Sequence, residues 1–315
     1  MPAGQKSCAS CFARPNAAAP VRPSSDMRRH LIDHAGLRLN VLEYPAPAPD
    51  APTVLIQHGY LDFAEAWRPV AERLTDGYRV LLADARGHGD SDHVGRGGYY
   101  HFPDYVGDLA AIIHALSPDG VHLVGHSMGG MIVSYYAGTF PERVHSLTSI
   151  EGLGPPAAEP DHAPGRMAAW IQDRERLAQR HPRRFADITE ICDRLKRAQP
   201  RIRDDLLPDL ARAAVQLDDS GGYRWKFDPL HQTRSPMPFY LDHAAAFWKR
   251  IPRPRLLITA SDSLFGRIAT DRVTLFDPDR TIEMSDCGHM VHYEAPERLA
   301  DELRSFLDDA CAAPS

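Results

Sequence analysis

The sequence predicts an α/β fold in which a mostly parallel central sheet is flanked by helices. Short runs rich in apolar residues, typical of strands that are buried on both faces, recur along the chain. Stretches of helical periodicity lie between them, and strands that alternate with helices build parallel sheets from βαβ units. The predicted strands are residues 37–41, 53–57, 78–83, 121–124, 145–150, 255–260 and 281–284.

Two predicted helices have the clearest periodicity. Apolar residues recur at helical spacing between residues 102 and 116, and Pro103 suits the first turn of a helix. A second pattern of this kind covers residues 299–307, after Pro296. Each pattern predicts a helix that presents one apolar face to the sheet.

The alternation of strands and helices stops between residues 155 and 250. Helical stretches follow one another there, and at most one strand, near residues 223–227, intervenes. We therefore expect an inserted all-helical cap at residues 155–250 and an α/β core at residues 28–154 and 251–312. Residues 1–27 are rich in Ala, Pro and Ser, so we expect a disordered N-terminal tail there.

The overall composition is that of an ordinary globular protein, with a net charge of −6. This charge gives no reason to expect nucleic acid or an anionic membrane as a partner. No apolar run approaches the roughly 18 residues that a membrane span needs. The N-terminus also lacks the apolar segment of a secretory signal. We expect a cytoplasmic protein that acts on a small molecule.

The five cysteines do not suggest a disulfide framework, because an odd number cannot pair completely within the chain. Cys8 and Cys11 form a C-x-x-C pair in the N-terminal tail. No second pair and no nearby pair of histidines complete a zinc site around them. The sequence therefore predicts neither a bound metal nor an organic cofactor.

The strongest functional motif is Gly125-His126-Ser127-Met128-Gly129, which follows a predicted strand and precedes a helical pattern. It has the form G-x-S-x-G in the strand–turn–helix context that this motif requires. The turn is so tight that larger side chains at the two glycine positions would collide with it. The serine hydroxyl then projects at a helix N-terminus, where negative charge is favoured. We predict that Ser127 is a nucleophile.

Together with four other motifs, this segment resembles the α/β-hydrolase superfamily over residues 28–310. The resemblance implies an esterase-like serine hydrolase with a helical cap and a Ser-acid-His triad. The other motifs, in chain order, are His58-Gly59-Tyr60, Asp84-Ala85-Arg86-Gly87-His88-Gly89-Asp90-Ser91, Phe140-Pro141-Glu142-Arg143-Val144, and the G-H-x-x-x-x-E-x-P loop from Gly288 to Pro296.

The resemblance also implies the base and the oxyanion hole. A serine hydroxyl needs an adjacent base, and the histidine of the G-H-x-x-x-x-E-x-P loop is His289. His292 and His126 are alternative bases, and we interpret His126 as a wall residue of the turn around the serine. The oxyanion hole would consist of the backbone N–H groups of Tyr60 and Met128.

The acid of the triad has two candidates, because the sequence departs from the common family pattern. The common layout places the acid at Ser263, one residue after Asp262, and a loop can absorb one residue. Some members of the superfamily carry the acid one strand earlier. Here Glu151 follows that earlier strand, and carboxyl ends of parallel strands are where functional groups gather. We favour Glu151 slightly and keep Asp262 as the alternative.

These residues predict a hydrolase that cleaves a carboxylic ester or thioester of a small acyl substrate through an acyl-enzyme. Two alternatives stay open at this stage. The same residues could cleave a C–C bond next to a carbonyl group, or the scaffold could serve as a ligand receptor with little turnover. Neither the substrate nor the oligomeric state can be predicted from the sequence.

Overall fold

The computed structural model describes residues 27–180, 183–219, 221–263 and 270–312. Among these residues, all strands but two form one sheet. The strands, in chain order, are β1 (Arg28–His34), β2 (Leu37–Tyr44), β3 (Thr53–Gln57), β4 (Arg79–Ala83), β5 (Val121–His126), β6 (Val144–Ile150), β7 (Val215–Leu217), β8 (Tyr223–Trp225), β9 (Arg255–Ala260) and β10 (Arg280–Met284). The order in the large sheet is β1-β2-β4-β3-β5-β6-β9-β10. The β1–β2 and β2–β4 pairs are antiparallel, and the other neighbours are parallel.

Helices cover both faces of this sheet. The helices of the described residues are, in chain order, α1 (Arg68–Leu74), α2 (Phe102–Leu116), α3 (Met128–Thr139), α4 (Ala163–Ala178), α5 (Ile188–Ala198), α6 (Leu207–Ala213), α7 (Leu241–Trp248), α8 (Thr270–Phe276), α9 (Val291–Glu294) and α10 (Pro296–Ala312). α1 and α10 pack on one face, and α2, α3 and α7 pack on the other. The predicted fold class is confirmed.

Strand β3 illustrates why the sequences of the central strands are continuous apolar runs. Val54 and Ile56 belong to the apolar cluster beneath α1 and α10, whereas Leu55 belongs to the cluster beneath α2 and α3. Because successive side chains point to opposite faces, a strand that is covered on both sides must be apolar at every position. All three side chains are almost completely buried.

The edge strand β1 was not among the predicted strands. It pairs antiparallel with β2 from Arg28 to His34, and its side chains are mostly exposed or half-buried. An exposed edge strand needs no apolar run, so its charged sequence carried no strand pattern that we recognised. Charged side chains on such an edge also discourage pairing with other chains.

Residues 155–250, which we call the insert, contain α4, α5, α6 and α7. They also contain a two-stranded antiparallel sheet of β7 and β8, so the expectation of an all-helical insert is wrong. Gly221 lies between these two strands with a positive φ of 82°, which lets the chain turn back on itself. α7 packs against α3, and Trp248 is fully buried in the core of the sheet. The end of the insert therefore shares the core of the α/β domain. The boundaries of a separate cap stay a prediction.

No helix in the described part of the chain is both long and apolar enough for a membrane crossing. The predicted N-terminal tail, including Cys8 and Cys11, lies outside the described residues except for Met27.

Candidate active site

Ser127 lies in the sharp turn between β5 and α3, with φ 52° and ψ −116°. The neighbouring glycines make this turn possible. A Cβ atom at Gly125 would come 2.4 Å from the Gly129 carbonyl oxygen, and one at Gly129 would come 2.2 Å from the Gln57 carbonyl oxygen. Strand and helix therefore approach each other more closely than any side chain allows, which holds Ser127 in its strained conformation.

The imidazole of His289 lies beside the Ser127 hydroxyl. Its Nε2 atom is 3.0 Å from Ser127 Oγ, within hydrogen-bond distance. His289 stands between β10 and α9, and 24% of its side chain is exposed. A hydroxyl and an imidazole in this contact are the arrangement of an activated nucleophile and its base.

Glu151 directly follows β6 and faces the other nitrogen of the same imidazole. Its Oε2 atom is 3.3 Å from His289 Nδ1, slightly longer than the roughly 2.6–3.2 Å of a tight orienting contact and common for catalytic contacts without substrate. Its other oxygen, Oε1, accepts the N–H of Ala260 at 2.8 Å. Glu151 has a positive φ of 51°, and its side chain is completely buried. The structure thus brings Ser127, His289 and Glu151 together in one hydrogen-bonded chain.

Asp262, the alternative acid, has different surroundings. Its side chain is 45% exposed, and its carboxylate lies 2.5 Å from Arg201 Nη2. It also contacts the hydroxyl of Ser261 at 3.2 Å. The carboxylate of Asp262 is therefore engaged in a surface ion pair.

The two predicted oxyanion-hole residues lie on segments that meet beside Ser127. Tyr60 follows β3 in a turn, and a Cβ atom at Gly59 in that turn would come 3.1 Å from Ser127 Cβ. Met128 is the first residue of α3, where backbone N–H groups have no partner within the helix. The Tyr60 hydroxyl donates to the carbonyl oxygen of His231, which ties this turn to the insert.

His126 and His292, the alternative bases, are both buried. His126 Nε2 donates to the carbonyl oxygen of His289 at 2.8 Å, so this side chain supports the loop that carries His289. Burial lowers the pKa of His126 well below its ordinary value, which keeps the ring neutral. His292 stacks on Trp67, with ring centroids 4.1 Å apart.

Asp62, His126 and His292 are the group of described residues whose atoms could together hold a metal ion, since one ligand atom from each lies within 4.8 Å of the others. Asp62, however, already has several polar neighbours. It accepts hydrogen bonds from Tyr293 at 2.7 Å and from Trp67 at 3.2 Å, and one of its oxygens lies 3.0 Å from His292 Nε2. Burial alone would raise the pKa of Asp62, but its interaction with the neighbouring His292 ring lowers it below the ordinary value. We interpret this group as a buried polar cluster that packs the core, with Asp62 held by its hydrogen-bond donors.

Two sets of contacts around Glu151 were not predicted from the sequence. The Ser263 hydroxyl donates to Glu151 Oε2. The guanidinium of Arg272 donates to the carbonyl oxygens of Leu153, Gly154 and Pro155 at 2.7–2.8 Å, which fixes the loop after Glu151. Both contacts join residues more than one hundred positions apart, and no local motif marks such pairs.

The insert contacts loops that surround the site. The Arg203 backbone N–H donates to the Tyr293 carbonyl oxygen at 3.3 Å, and the Arg201 guanidinium donates to the Asp286 carbonyl oxygen at 3.0 Å. On the other side, the ring of Phe239 lies against Gly154, where a Cβ atom would come within 2.7 Å of it. Contacts with the segments that follow β6 and β10 place parts of the insert at the carboxyl edge of the sheet, where ligands bind in open α/β folds.

Comparison with known proteins agrees with this architecture. Residues 52–296 match the family model for the alpha/beta hydrolase fold. The chain is 26% identical over 264 residues to the serine hydrolase-like protein of Danio rerio, which covers 81% of each chain. It is 28% identical over 287 residues to the sn-1-specific diacylglycerol lipase ABHD11 of Mus musculus, covering 87% of this chain and 88% of the lipase. The solved thioesterase domain from the curacin biosynthetic pathway has a TM-score of 0.77 and 25% identity, over 88% of this chain and 99% of that domain. The chain therefore belongs to the alpha/beta hydrolase fold family.

Proposed function

We propose that this protein is a serine hydrolase that cleaves a carboxylic ester or thioester through an acyl-enzyme. The observation that carries the proposal is the 3.0 Å contact between Ser127 Oγ and His289 Nε2 in a strained turn at the end of β5. A serine at its free pKa is a weak nucleophile, and an imidazole in this contact is what activates it.

The reaction follows from the positions of the groups. His289 Nε2 accepts the Ser127 proton while Ser127 Oγ attacks the acyl carbon. The oxyanion that forms is stabilised by the backbone N–H group of Tyr60, in the turn after β3, and by that of Met128, at the N-terminus of α3. His289 then protonates the leaving alcohol or thiol, and the acyl group remains on Ser127. A water molecule then gives a proton to His289 and attacks the acyl carbon. The bond between the acyl carbon and Ser127 Oγ breaks, His289 returns the proton to Ser127 Oγ, and the carboxylic acid leaves.

Glu151 acts through the imidazole. A proton on His289 Nδ1 is held by the carboxylate, which leaves Nε2 free to accept the serine proton. The carboxylate also stabilises the imidazolium that forms when the proton moves.

Similarity to a lipase and to a thioesterase supports an acyl ester or acyl thioester as the substrate. These relatives act on different leaving groups, which is consistent with a shared acyl-transfer step and different substrate pockets.

The test combines a fluorophosphonate probe with turnover of p-nitrophenyl esters and acyl thioesters of increasing chain length. The wild-type protein should be labelled and should hydrolyse at least one of these substrates, whereas Ser127→Ala should do neither. Ser134→Ala is a matched control, because Ser134 lies on α3 and its hydroxyl bonds only the Gly130 carbonyl oxygen among the contacts described. Wild-type turnover by Ser127→Ala would refute the proposal. Labelling without turnover of any ester or thioester would favour the receptor or another type of bond.

A further inference from the structure

Ser263 occupies the position at which the family resemblance places the acid, in the loop that follows β9. It is buried, with 4% of its surface exposed. Its backbone N–H donates to the Ala260 carbonyl oxygen at 3.2 Å, so the chain turns at the end of the strand. Its hydroxyl donates to Glu151 Oε2, the same oxygen that lies 3.3 Å from His289 Nδ1. Ser263, at the position where the acid is common, thus binds the carboxylate of Glu151, the acid proposed for this protein.

We infer that Ser263 is a positioning residue for Glu151, and that position 263 is a second acid position from which a carboxylate could orient His289. This inference rests on the proposed function, because it assumes that Glu151 acts through His289.

The first part follows from the burial of Glu151. Its side chain has no solvent exposure, so its charge has to be stabilised by hydrogen-bond donors of the protein. Ala260 N–H binds Oε1, while the Ser263 hydroxyl and His289 share Oε2. Without the Ser263 hydroxyl, Oε2 loses a donor that holds it in line with Nδ1. The last side-chain torsion of a glutamate has a broad, roughly two-fold distribution of angles, so it does not fix the carboxylate by itself. The position of Oε2 therefore depends on these donors.

The second part follows from the sheet. β6 and β9 are parallel neighbours, with Ile150 opposite Ile258, and residues 151 and 263 lie beyond the carboxyl ends of these two strands. An aspartate carries its oxygens one bond farther from Cα than the serine hydroxyl does. At position 263 they would extend toward the space that Glu151 Oε2 now fills. Two carboxylates in this buried space would repel each other, so the site accommodates one of them at a time.

The test measures kcat and KM for Ser263→Ala, Ser263→Asp, Glu151→Gln and the double variant Glu151→Gln/Ser263→Asp. Ser261→Ala is the matched control, because that hydroxyl lies in the same loop and bonds the Asp286 N–H and Asp262 instead of Glu151. Ser263→Ala should lower kcat about 10- to 100-fold with little change in KM, since a hydrogen bond to a charged group is lost. Circular dichroism and thermal unfolding should show that each variant is folded.

The double variant gives the sharper result. Glu151→Gln and Ser263→Asp should each be strongly impaired, the first because the acid is missing and the second because two carboxylates compete. The double variant should exceed both single variants in kcat by about 10-fold or more, because one carboxylate is present again. A serine with a purely structural role would instead give a double variant that is worse than either single one.

Three outcomes separate this inference from the proposed function. If Ser263→Ala behaves like Ser261→Ala, Ser263 does not position Glu151. If the folded double variant is no better than Glu151→Gln, position 263 is not a second acid position. If Glu151→Gln itself keeps wild-type kcat, the proposed acid is wrong, and this inference fails together with that part of the mechanism.

Discussion

Replacing Glu151 by glutamine is the most direct test of how the imidazole of His289 is oriented. The glutamine has the same shape as the glutamate, so the packing at the end of β6 should be retained. Its amide, however, presents one acceptor oxygen and one donor NH2 group, whereas the carboxylate presents two acceptor oxygens. The contacts at Glu151 require acceptors on both oxygens, because Ala260 N–H binds Oε1 and the Ser263 hydroxyl and His289 Nδ1 share Oε2.

The magnitude of the loss follows from this mismatch. If the amide oxygen faces Ala260, the NH2 group faces His289 and favours the tautomer with a bare Nδ1, in which Nε2 carries the proton and cannot accept one from Ser127. If the amide turns over, the Ala260 N–H loses its acceptor. Amide replacements of the acid in serine triads cost up to about 10⁴-fold in kcat, which corresponds to roughly 5.5 kcal/mol. We expect a loss of about 10³- to 10⁴-fold for Glu151→Gln.

The assay is steady-state hydrolysis of the ester or thioester that the substrate panel identifies, with burst kinetics to separate acylation from deacylation. Asp262→Asn is the comparison variant, because Asp262 is an exposed partner of Arg201 and should contribute little to kcat. A large loss for Asp262→Asn together with a small loss for Glu151→Gln would refute the reasoning. It would mean that the loop after β9 moves Asp262 to His289 when substrate binds.

Two further predictions concern folding. Gly129→Ala should abolish activity and destabilise the protein, because the Cβ atom of the alanine would lie 2.2 Å from the Gln57 carbonyl oxygen and 2.6 Å from the His58 carbonyl oxygen. Thermal unfolding would measure the stability of the variant, and probe labelling would measure the reactivity of Ser127. A variant with near wild-type values in both measurements would contradict the prediction. Burial lowers the pKa of His122 to about 4, whereas the pKa of an unfolded histidine is about 6.5. The unfolded state therefore binds more protons between these values, and stability should fall as the pH drops from about 6.5 to 4. Urea unfolding at several pH values would give the free energy of unfolding of the wild type and of His122→Gln. If this free energy falls with pH as steeply in the variant as in the wild type, the prediction is wrong.

The parts of the molecule that the sequence predicted well are those with a local cause. Central strands such as β3 are covered on both faces, so burial leaves a continuous apolar run. The turn at Ser127 needs Gly125 and Gly129 because of contacts within and beside the motif itself. The edge strand β1 has no such signature, since its exposed side chains leave its sequence free to be polar.

The identity of the proposed acid could not be predicted firmly from the sequence. Glu151 and Asp262 both follow a strand, and spacing alone could not distinguish them. The difference between them arises from tertiary contacts, because Arg201 of the insert holds Asp262 at the surface while Ala260 and Ser263 provide donors for Glu151. Neither set of contacts leaves a periodic or local pattern in the sequence.

Strand order is consistent with a proposed acid at the end of either of two strands. β5, β6 and β9 are consecutive parallel neighbours in the sheet, and β10 lies beyond β9. Ser127 follows β5, Glu151 follows β6, Ser263 follows β9, and His289 follows β10. The imidazole reaches back across the ends of β9 and β6 to the serine at the end of β5. A carboxylate at the end of either intervening strand therefore lies on its path. The hydrogen bond between Ser263 and Glu151 joins these two positions, so under the proposed mechanism a carboxylate at either one would lie next to His289.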